Sequence, residues 1–301
     1  MVIGGRLRAA LRAGDKAESD VPQAFPPGAF YSPVVNAAEV LSEPDLSRVW
    51  PADVQDPPGI DVRPDAQLAL LEQLAAHRFV AASDAPGPRY DPDNDQFPPQ
   101  DAALLYAMVR HLAPRRMIEV GSGWSTIVTA AAIRDGGLDT QLTCIEPYPR
   151  DFVHSIAEVH RLRQEKVEHT PLALFEALED GDVLFIDSSH VVKTGSDVVH
   201  QLLEVVPRLA DGVVVHVHDI FIPADYPQHW VRAGFNWTEQ YLLQAYLIGN
   251  ARASVLAMNH WLSLRHPDAV REAFGPVELN GSSVWFVTGS DARGKALGSV
   301  P

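Results

Sequence analysis

Four residues carry the strongest chemical signal in this 301-residue chain: Asp187 and His190 in DVLFIDSSH, and His218 and Asp219 in VVVHVHDIF. Asp187 ends one apolar run and Asp219 directly follows another. If those runs are adjacent parallel strands, both acids emerge at the same carboxyl edge, where open α/β sheets bind ligands. Converging carboxylates repel, and a divalent cation between them is the simplest relief. The plainer alternative makes one a helix cap and the other a turn residue. His216 and His218 alternate and so share a strand face, but only His218 stands at the edge, and His216 is read as a satisfied core histidine. The candidate catalytic residues are Asp187, His190 and Lys193. His190 is the first choice to take a proton from a hydroxyl and Lys193 the second, the structural alternative for His190 being a hydrogen bond that orders its loop.

A second signal lies upstream. In IEVGSGWST an apolar strand passes into a helix through Gly121 and Gly123, residues that let backbone approach a ligand lying across the strand ends. Such a turn also serves purely steric ends. Glu146 closes the next apolar run, where an acid can accept hydrogen bonds from both hydroxyls of a ribose, although a strand-end acid or cap would look the same. A dinucleotide fingerprint needs a third glycine, and Thr126 stands there instead. Glu119, just before the turn, adds negative charge that suits a cationic amine or sulfonium better than a pyrophosphate. This chemistry favours S-adenosylmethionine over NAD.

Short apolar runs alternating with longer amphipathic segments must position these groups, the pattern of successive βαβ units. The expected fold class is α/β, a doubly wound, seven-stranded, mostly parallel sheet. Strands are expected at 116–120, 141–146, 166–169, 182–187, 213–218, 253–258 and 283–288. Helices are expected at 124–135, 151–163, 171–179 and 195–209, and a further one between the last two strands. Ahead of the sheet, Asp65 is expected to cap a helix bearing Leu68, Leu71 and Leu74, and a second helix runs from Asp101. The proline-rich stretch 21–64 reads as an extended arm, so the organisation is arm 1–64, helical lead-in and loop 65–115, catalytic domain 116–290 and tail 291–301. Residues 6–13 read as a short amphipathic or frayed helix rather than a membrane anchor.

Composition narrows the function classes. With 39 acidic against 24 basic residues the formal charge is −15, which repels a phosphate backbone, so nucleic acid is not an expected partner. No continuous apolar stretch suggests an export signal or a membrane span, and a cytoplasmic location is expected. The single cysteine, Cys144, lies in an apolar run and is read as a buried, inert thiol.

The series EVGSGWST, CIEP, DVLFIDSSH and VHVHDIF resembles the motifs of class I S-adenosylmethionine-dependent methyltransferases, nearest to a bacterial group related to the macrocin and catechol O-methyltransferases. The likeness runs over about residues 90–290. It implies that Glu119, Gly121, Ser122, Gly123 and Ser125 face the methionine part of the cofactor with Asp187, that Glu146 holds the ribose, and that Pro147 and Tyr148 lie near the adenine. It places Asp187, His218 and Asp219 at ligand positions for Mg²⁺. The catechol type has Asp-Asn where Asp219-Ile220 stands, which leaves the use and identity of the metal open. The expected reaction is in-line attack of a small-molecule or sugar hydroxyl on the sulfonium methyl. Tyr90, Asn94, Tyr226, Trp230, Trp237, Glu239 and Gln240 are the candidate acceptor-binding residues. The segment from Tyr241 to Leu247 reads as a helix packed on the sheet, with a homo-oligomer contact as the alternative. Two other readings compete: an NAD(P)-dependent oxidoreductase, distinguished by an NADH titration, and a non-catalytic cofactor-binding protein, distinguished by binding without transfer.

Overall fold

The computed structural model describes residues 24–80 and 87–289; residues 6–13 and the tail 291–301 fall outside them. The described chain divides into a smaller unit, residues 24–55 with 223–237, and a larger unit, residues 56–222 with 238–289.

The larger unit is built on a seven-stranded sheet of order β3-β2-β1-β4-β5-β7-β6. Its strands are β1 (Arg116–Val120), β2 (Gln141–Ile145), β3 (Val159–Arg163), β4 (Val183–Ile186), β5 (Val214–His218), β6 (Ala253–Met258) and β7 (Ser283–Thr288). The first five pair in parallel, and β7 runs antiparallel to both β5 and β6. The expected α/β sheet is therefore present, with one antiparallel strand inserted late. From β1 the chain winds outward to β2 and β3 and then returns to β4 on the other side. This reversal leaves a crevice at the carboxyl ends of β1 and β4.

The central strands are buried on both faces, as helix-covered parallel strands must be: β4 reads VLFI and all four residues are buried. Helices α4 (Pro99–Leu112) and α5 (Trp124–Gly136) bring long buried runs against the sheet, among them Leu104, Leu105, Met108 and Val128. The α3 helix (Pro64–Leu74) starts one residue before Asp65. Pro64 sets the helical φ at the first position, Arg63 precedes it in left-handed backbone, and Asp65 sits inside the first turn rather than at the cap.

Two expectations fail in the third βα unit. Residues 159–163, expected to be helical, form β3, and KVEH, expected to be a strand, forms a short 3-10 turn over Val167–His169. The reason is position. β3 is the edge of the sheet, its residues are only partly buried, and the charged VHRLR sequence that suits an edge hides its periodicity. The long helix expected over 195–209 begins as α7 (Asp197–His200), widens into a π turn over Gln201–Val205 and tightens at Val206–Arg208, where Pro207 breaks it. After α6 (Leu172–Glu176) and β4, the remaining helices of this unit are α9 (Glu239–Leu247), α10 (Asn259–Arg265) and α11 (Pro267–Phe274). The single helix expected between β6 and β7 is thus two. In α9, Leu243 and Leu247 are buried and the Tyr246 ring lies 5.8 Å from Phe286 of β7.

The smaller unit holds α1 (Ala37–Val40), α2 (Asp45–Val49) and α8 (Gln228–Ala233), so the stretch expected as an extended arm is partly helical. Trp50 donates its indole N–H to the Tyr226 carbonyl at 2.9 Å, and Tyr226, Trp230, Phe235 and Trp237 pack ring against ring. Among the described residues no helix is long and apolar enough to cross a membrane.

Candidate active site

The turn after β1 explains its two glycines separately. Gly121 has φ +86°, and a Cβ there would lie 1.8 Å from the Asp187 carbonyl oxygen. That glycine lets β1 meet the end of β4, where the Asp187 amide donates to the Val120 carbonyl at 2.9 Å. At Gly123 nothing lies within 4 Å of where a Cβ would stand. Its missing side chain leaves room beside the strand ends.

Beneath the turn, Glu119 is fully buried. Its Oε1 accepts from Ser125 at 2.6 Å and from Thr126 at 3.0 Å, and Thr126 Oγ1 in turn accepts from the Gly123 amide at 3.0 Å. Burial pushes the Glu119 carboxyl up to about 8 despite these hydroxyls. Glu119 and Ser125, expected to face a cofactor, instead brace the turn from below. The missing third glycine has a role here, because Thr126 ties the turn to Glu119. Cys144 lies against Glu119 and is fully buried, and burial raises its thiol well above the usual range.

Glu146, just past β2, accepts from the Ser122 amide at 3.2 Å and the Tyr148 amide at 2.7 Å. Two backbone donors leave lone pairs on a carboxylate, enough for vicinal hydroxyls. Tyr148 presents an exposed ring beside it, following Pro147. The turn of Gly121, Ser122 and Gly123 is therefore linked to Glu146 by a direct hydrogen bond.

At the ends of β4 and β5 the four residues singled out by sequence converge. Asp187, His218 and Asp219 each offer one ligand atom, and these atoms lie within 4.8 Å of one another. His190 Nε2 stands 3.4 Å from Asp187 Oδ1 and 3.6 Å from Asp219 Oδ2, while its Nδ1 is 2.8 Å from Oε2 of the buried Glu239. His218 Nδ1 is 3.4 Å from Asp187 Oδ1 and 3.6 Å from Asp219 Oδ1, and its Nε2 is 3.5 Å from Oδ2 of the buried Asp101. Each imidazole thus has a buried carboxylate behind it and the Asp187–Asp219 pair in front. Two of the four non-glycine residues described with positive φ belong to this cluster, His190 at +60° and Asp219 at +55°. Left-handed backbone at such residues is held in place by its surroundings. For His190 these include its carbonyl, which accepts from the Thr238 and Glu239 amides at the start of α9.

The charges are interdependent. Burial works to lower His190, but the Asp187 and Glu239 carboxylates outweigh it and push the imidazole up to about 10. His218 is likewise raised above its usual range, burial being overcome by Asp219 and Asp187. Burial lifts Asp219 to about 6, whereas the His218 charge and the His190 hydrogen bond overcome burial at Asp187 and hold it low. His216 is different. Its ring is stacked between Phe185 at 4.3 Å and Trp285 at 4.0 Å, and burial drives it well below the usual range, so it is neutral. It is a core histidine held by stacking, with neither ring nitrogen hydrogen-bonded among the described residues.

Several expected site residues have other work. Lys193 lies exposed in the turn before α7. Asn94 closes its own loop, its amide nitrogen donating to the Asp91 and Phe97 carbonyls and its oxygen accepting from the Gln96 and Phe97 amides. Tyr90 is buried and donates to the Phe97 carbonyl at 2.7 Å. The loop they fold sets Phe97 4.7 Å from the His218 ring, so Tyr90 and Asn94 shape the wall of the site rather than offering free polar groups. Gln240 accepts from the Phe221 amide at 3.0 Å, and Glu239, expected to touch an acceptor, pairs with His190 instead. Tyr226, Trp230 and Trp237 belong to the smaller unit.

The sequence reading missed Asp101, taken only as a helix start. Its signal is indirect: α4 is buried continuously from Gln100 to Val109, so polar residues in its first turn had to be buried as well and needed partners.

The "Methyltransferase domain" family profile matches residues 118–220, which run from within β1 to the residue after Asp219. An uncharacterised protein of Archaeoglobus fulgidus is 31% identical over 182 residues, covering 56% of this chain and 80% of that protein. Among solved structures, the SAH-bound Podospora anserina methyltransferase PaMTH1 is similar at a TM-score of 0.43 and 16% identity, covering 75% of this chain and 88% of that one. The Bacillus cereus O-methyltransferase in complex with SAH is similar at a TM-score of 0.39 and 16% identity, covering 75% and 91%. These structural likenesses are loose, and the roles of the site residues rest on the chain's own geometry.

Proposed function

We propose that this chain, which the methyltransferase-domain profile matches over residues 118–220, is a class I, S-adenosylmethionine-dependent enzyme that methylates a hydroxyl oxygen of a small-molecule or sugar-like acceptor with the help of a divalent cation. One observation carries the reading: the cluster of Asp187, His190, His218 and Asp219 adjoins the opening beside Gly123, because Asp187 is bonded into the end of β1. A methyl donor lying across the turn, with its ribose on Glu146, would bring its sulfonium to the edge where these groups meet.

A cation suits the residues present. Two carboxylates meet there, and the fully buried His218 aims a ring nitrogen at both without a well-formed hydrogen bond. Asp187, His218 and Asp219 would hold the ion, which when bound supplies charge that favours an acceptor alkoxide.

The chain's own residues supply the rest. Glu239 fixes the His190 ring through Nδ1 and leaves Nε2 directed at the acidic pair; with Asp187 and Asp219 neutralised by an ion, their charges would no longer hold the ring protonated, and Nε2 would be the atom that takes the hydroxyl proton. Glu119, Ser125 and Thr126 keep the turn rigid so that donor and acceptor meet in line, the main source of acceleration in such a displacement. Phe97 and the loop closed by Asn94 screen His218 from water.

Transfer of a labelled methyl group from S-adenosylmethionine to a panel of sugars, diols and phenols tests the reading. Asp219→Ala should abolish transfer while S-adenosylhomocysteine affinity stays within about threefold, and His190→Gln should lower kcat by about 10²–10⁴-fold. Full turnover by Asp219→Ala, or label found only on nitrogen or carbon, would contradict it.

A further inference from the structure

The family likeness points to Mg²⁺ as the divalent cation. The donor set does not match that ion. Mg²⁺ takes oxygen ligands in near-ideal octahedra and keeps much of its water, whereas imidazole suits first-row transition metals. Here one of three donors is His218, and its setting is that of a built ligand.

Asp101 is almost fully buried, and its carboxylate is fixed by four donors. Oδ1 accepts from Asn259 at 2.8 Å and Ser283 at 2.6 Å, while Oδ2 accepts from the Ser282 amide at 2.9 Å and the Ser282 hydroxyl at 3.1 Å. The scaffold extends a further layer, because Gln100 donates to Asn259 at 2.8 Å and accepts from the Gly281 amide at 3.0 Å. α4, α10 and the start of β7 thus converge to hold one carboxylate 3.5 Å from Nε2 of His218. An acceptor there can take a ring proton from Nε2, which leaves Nδ1 directed at Asp187 and Asp219. Between two carboxylates Nδ1 carries either a proton, the state its raised pKa favours without an ion, or a cation that accepts nitrogen. Carboxylates behind metal-bound histidines also raise ligand basicity and fix the ring.

We propose that Asp101, by orienting His218, makes Asp187, His218 and Asp219 a site for a nitrogen-accepting transition ion (Mn²⁺, Fe²⁺, Co²⁺ or Zn²⁺) in preference to Mg²⁺. This rests on the metal-assisted reading and names its ion; Asp101 is a positioning residue that touches the ligand and not the metal.

The test uses the full chain, stripped with chelator and titrated with CoCl₂ while the visible d–d absorption of Co²⁺ is followed. Saturable bands should appear at one ion per chain, and a hundredfold excess of MgCl₂ should not displace them. Asp101→Asn should weaken Co²⁺ about 10–100-fold, the usual effect of losing such a support. His218→Gln, which trades nitrogen for oxygen, should weaken the bands and level the preference over Mg²⁺; it decides the matter alone if Asp101→Asn does not fold. Displacement by equimolar Mg²⁺, absence of bands, or an unchanged preference in His218→Gln would overturn the proposal. Calorimetry with S-adenosylhomocysteine on the same samples separates the two readings. Binding without bands removes only the metal, and bands without binding remove the methyl donor.

Discussion

A methyl group added at Gly121 would meet the Asp187 carbonyl oxygen at 1.8 Å, and the φ of +86° opposes any side chain, whereas the space beside Gly123 is open. Two substitutions in one turn should therefore fail in different ways. Gly121→Ala is expected to destabilise the fold by about 3 kcal/mol or more, measured by urea unfolding. Gly123→Val should leave the unfolding midpoint nearly unchanged and reduce S-adenosylhomocysteine affinity at least tenfold, because its side chain enters the opening. The sequence alone marked both glycines as ligand-facing and could not separate them, since only the strand register reveals that Gly121 abuts the end of β4. Residue types at the β4 and β5 edges were more informative. Asp187, His190, His218 and Asp219 were identified together because each follows an apolar run closely enough for its place on the sheet to be counted. Their partners Asp101 and Glu239 come from helices far away in sequence, and no local pattern announces such a pairing.

Elements differ in how much of themselves they show in sequence. The buried strands β1, β4 and β5 are continuous apolar runs with definite ends, while the edge strand β3 is charged and was read as helix. The loop after residue 87 was expected to lend Tyr90 and Asn94 to an acceptor, yet Asn94 uses its side chain to fasten that loop. Asn94→Ala should lower stability by about 1 kcal/mol, as expected when half-buried loop amides lose their acceptor, and should loosen Phe97 from His218. The β1–α5 turn makes a prediction in pH. Glu119 ionises near 4.5 in a reference chain and near 8 when folded, pushed up by burial and by the Asp187 charge against the hydrogen bonds from Ser125, Thr126 and Cys144. A raised folded value means stability is fullest below about pH 4.5 and falls as pH rises towards 8, at up to about 1.4 kcal/mol per pH unit. Glu119→Gln, which stays neutral, should flatten that part of the stability profile and exceed the natural chain at pH 8. An unchanged slope in thermal unfolding between pH 5 and 8 would show that Glu119 is ionised in the fold.

At the scale of the whole molecule, the sheet order concentrates chemistry at one edge. The reversal between β1 and β4 opens the crevice, Glu146 stands on one side of it, and the acidic cluster stands on the other. The alternation of apolar runs was enough to anticipate a doubly wound sheet of seven strands, because each βαβ unit repeats the same burial problem. It was not enough to anticipate that residues 24–55 fold with 223–237 as a separate unit, since that association joins segments nearly two hundred positions apart. The account depends on the larger unit holding a methyl donor across the β1 turn with its ribose on Glu146. Isothermal titration calorimetry with S-adenosylhomocysteine examines this most directly, comparing the natural chain with Glu146→Ala. The account predicts saturable binding of one molecule per chain, weakened at least tenfold in the variant at a temperature where circular dichroism shows both proteins folded. No heat of binding, or equal affinity in the two proteins, would contradict it.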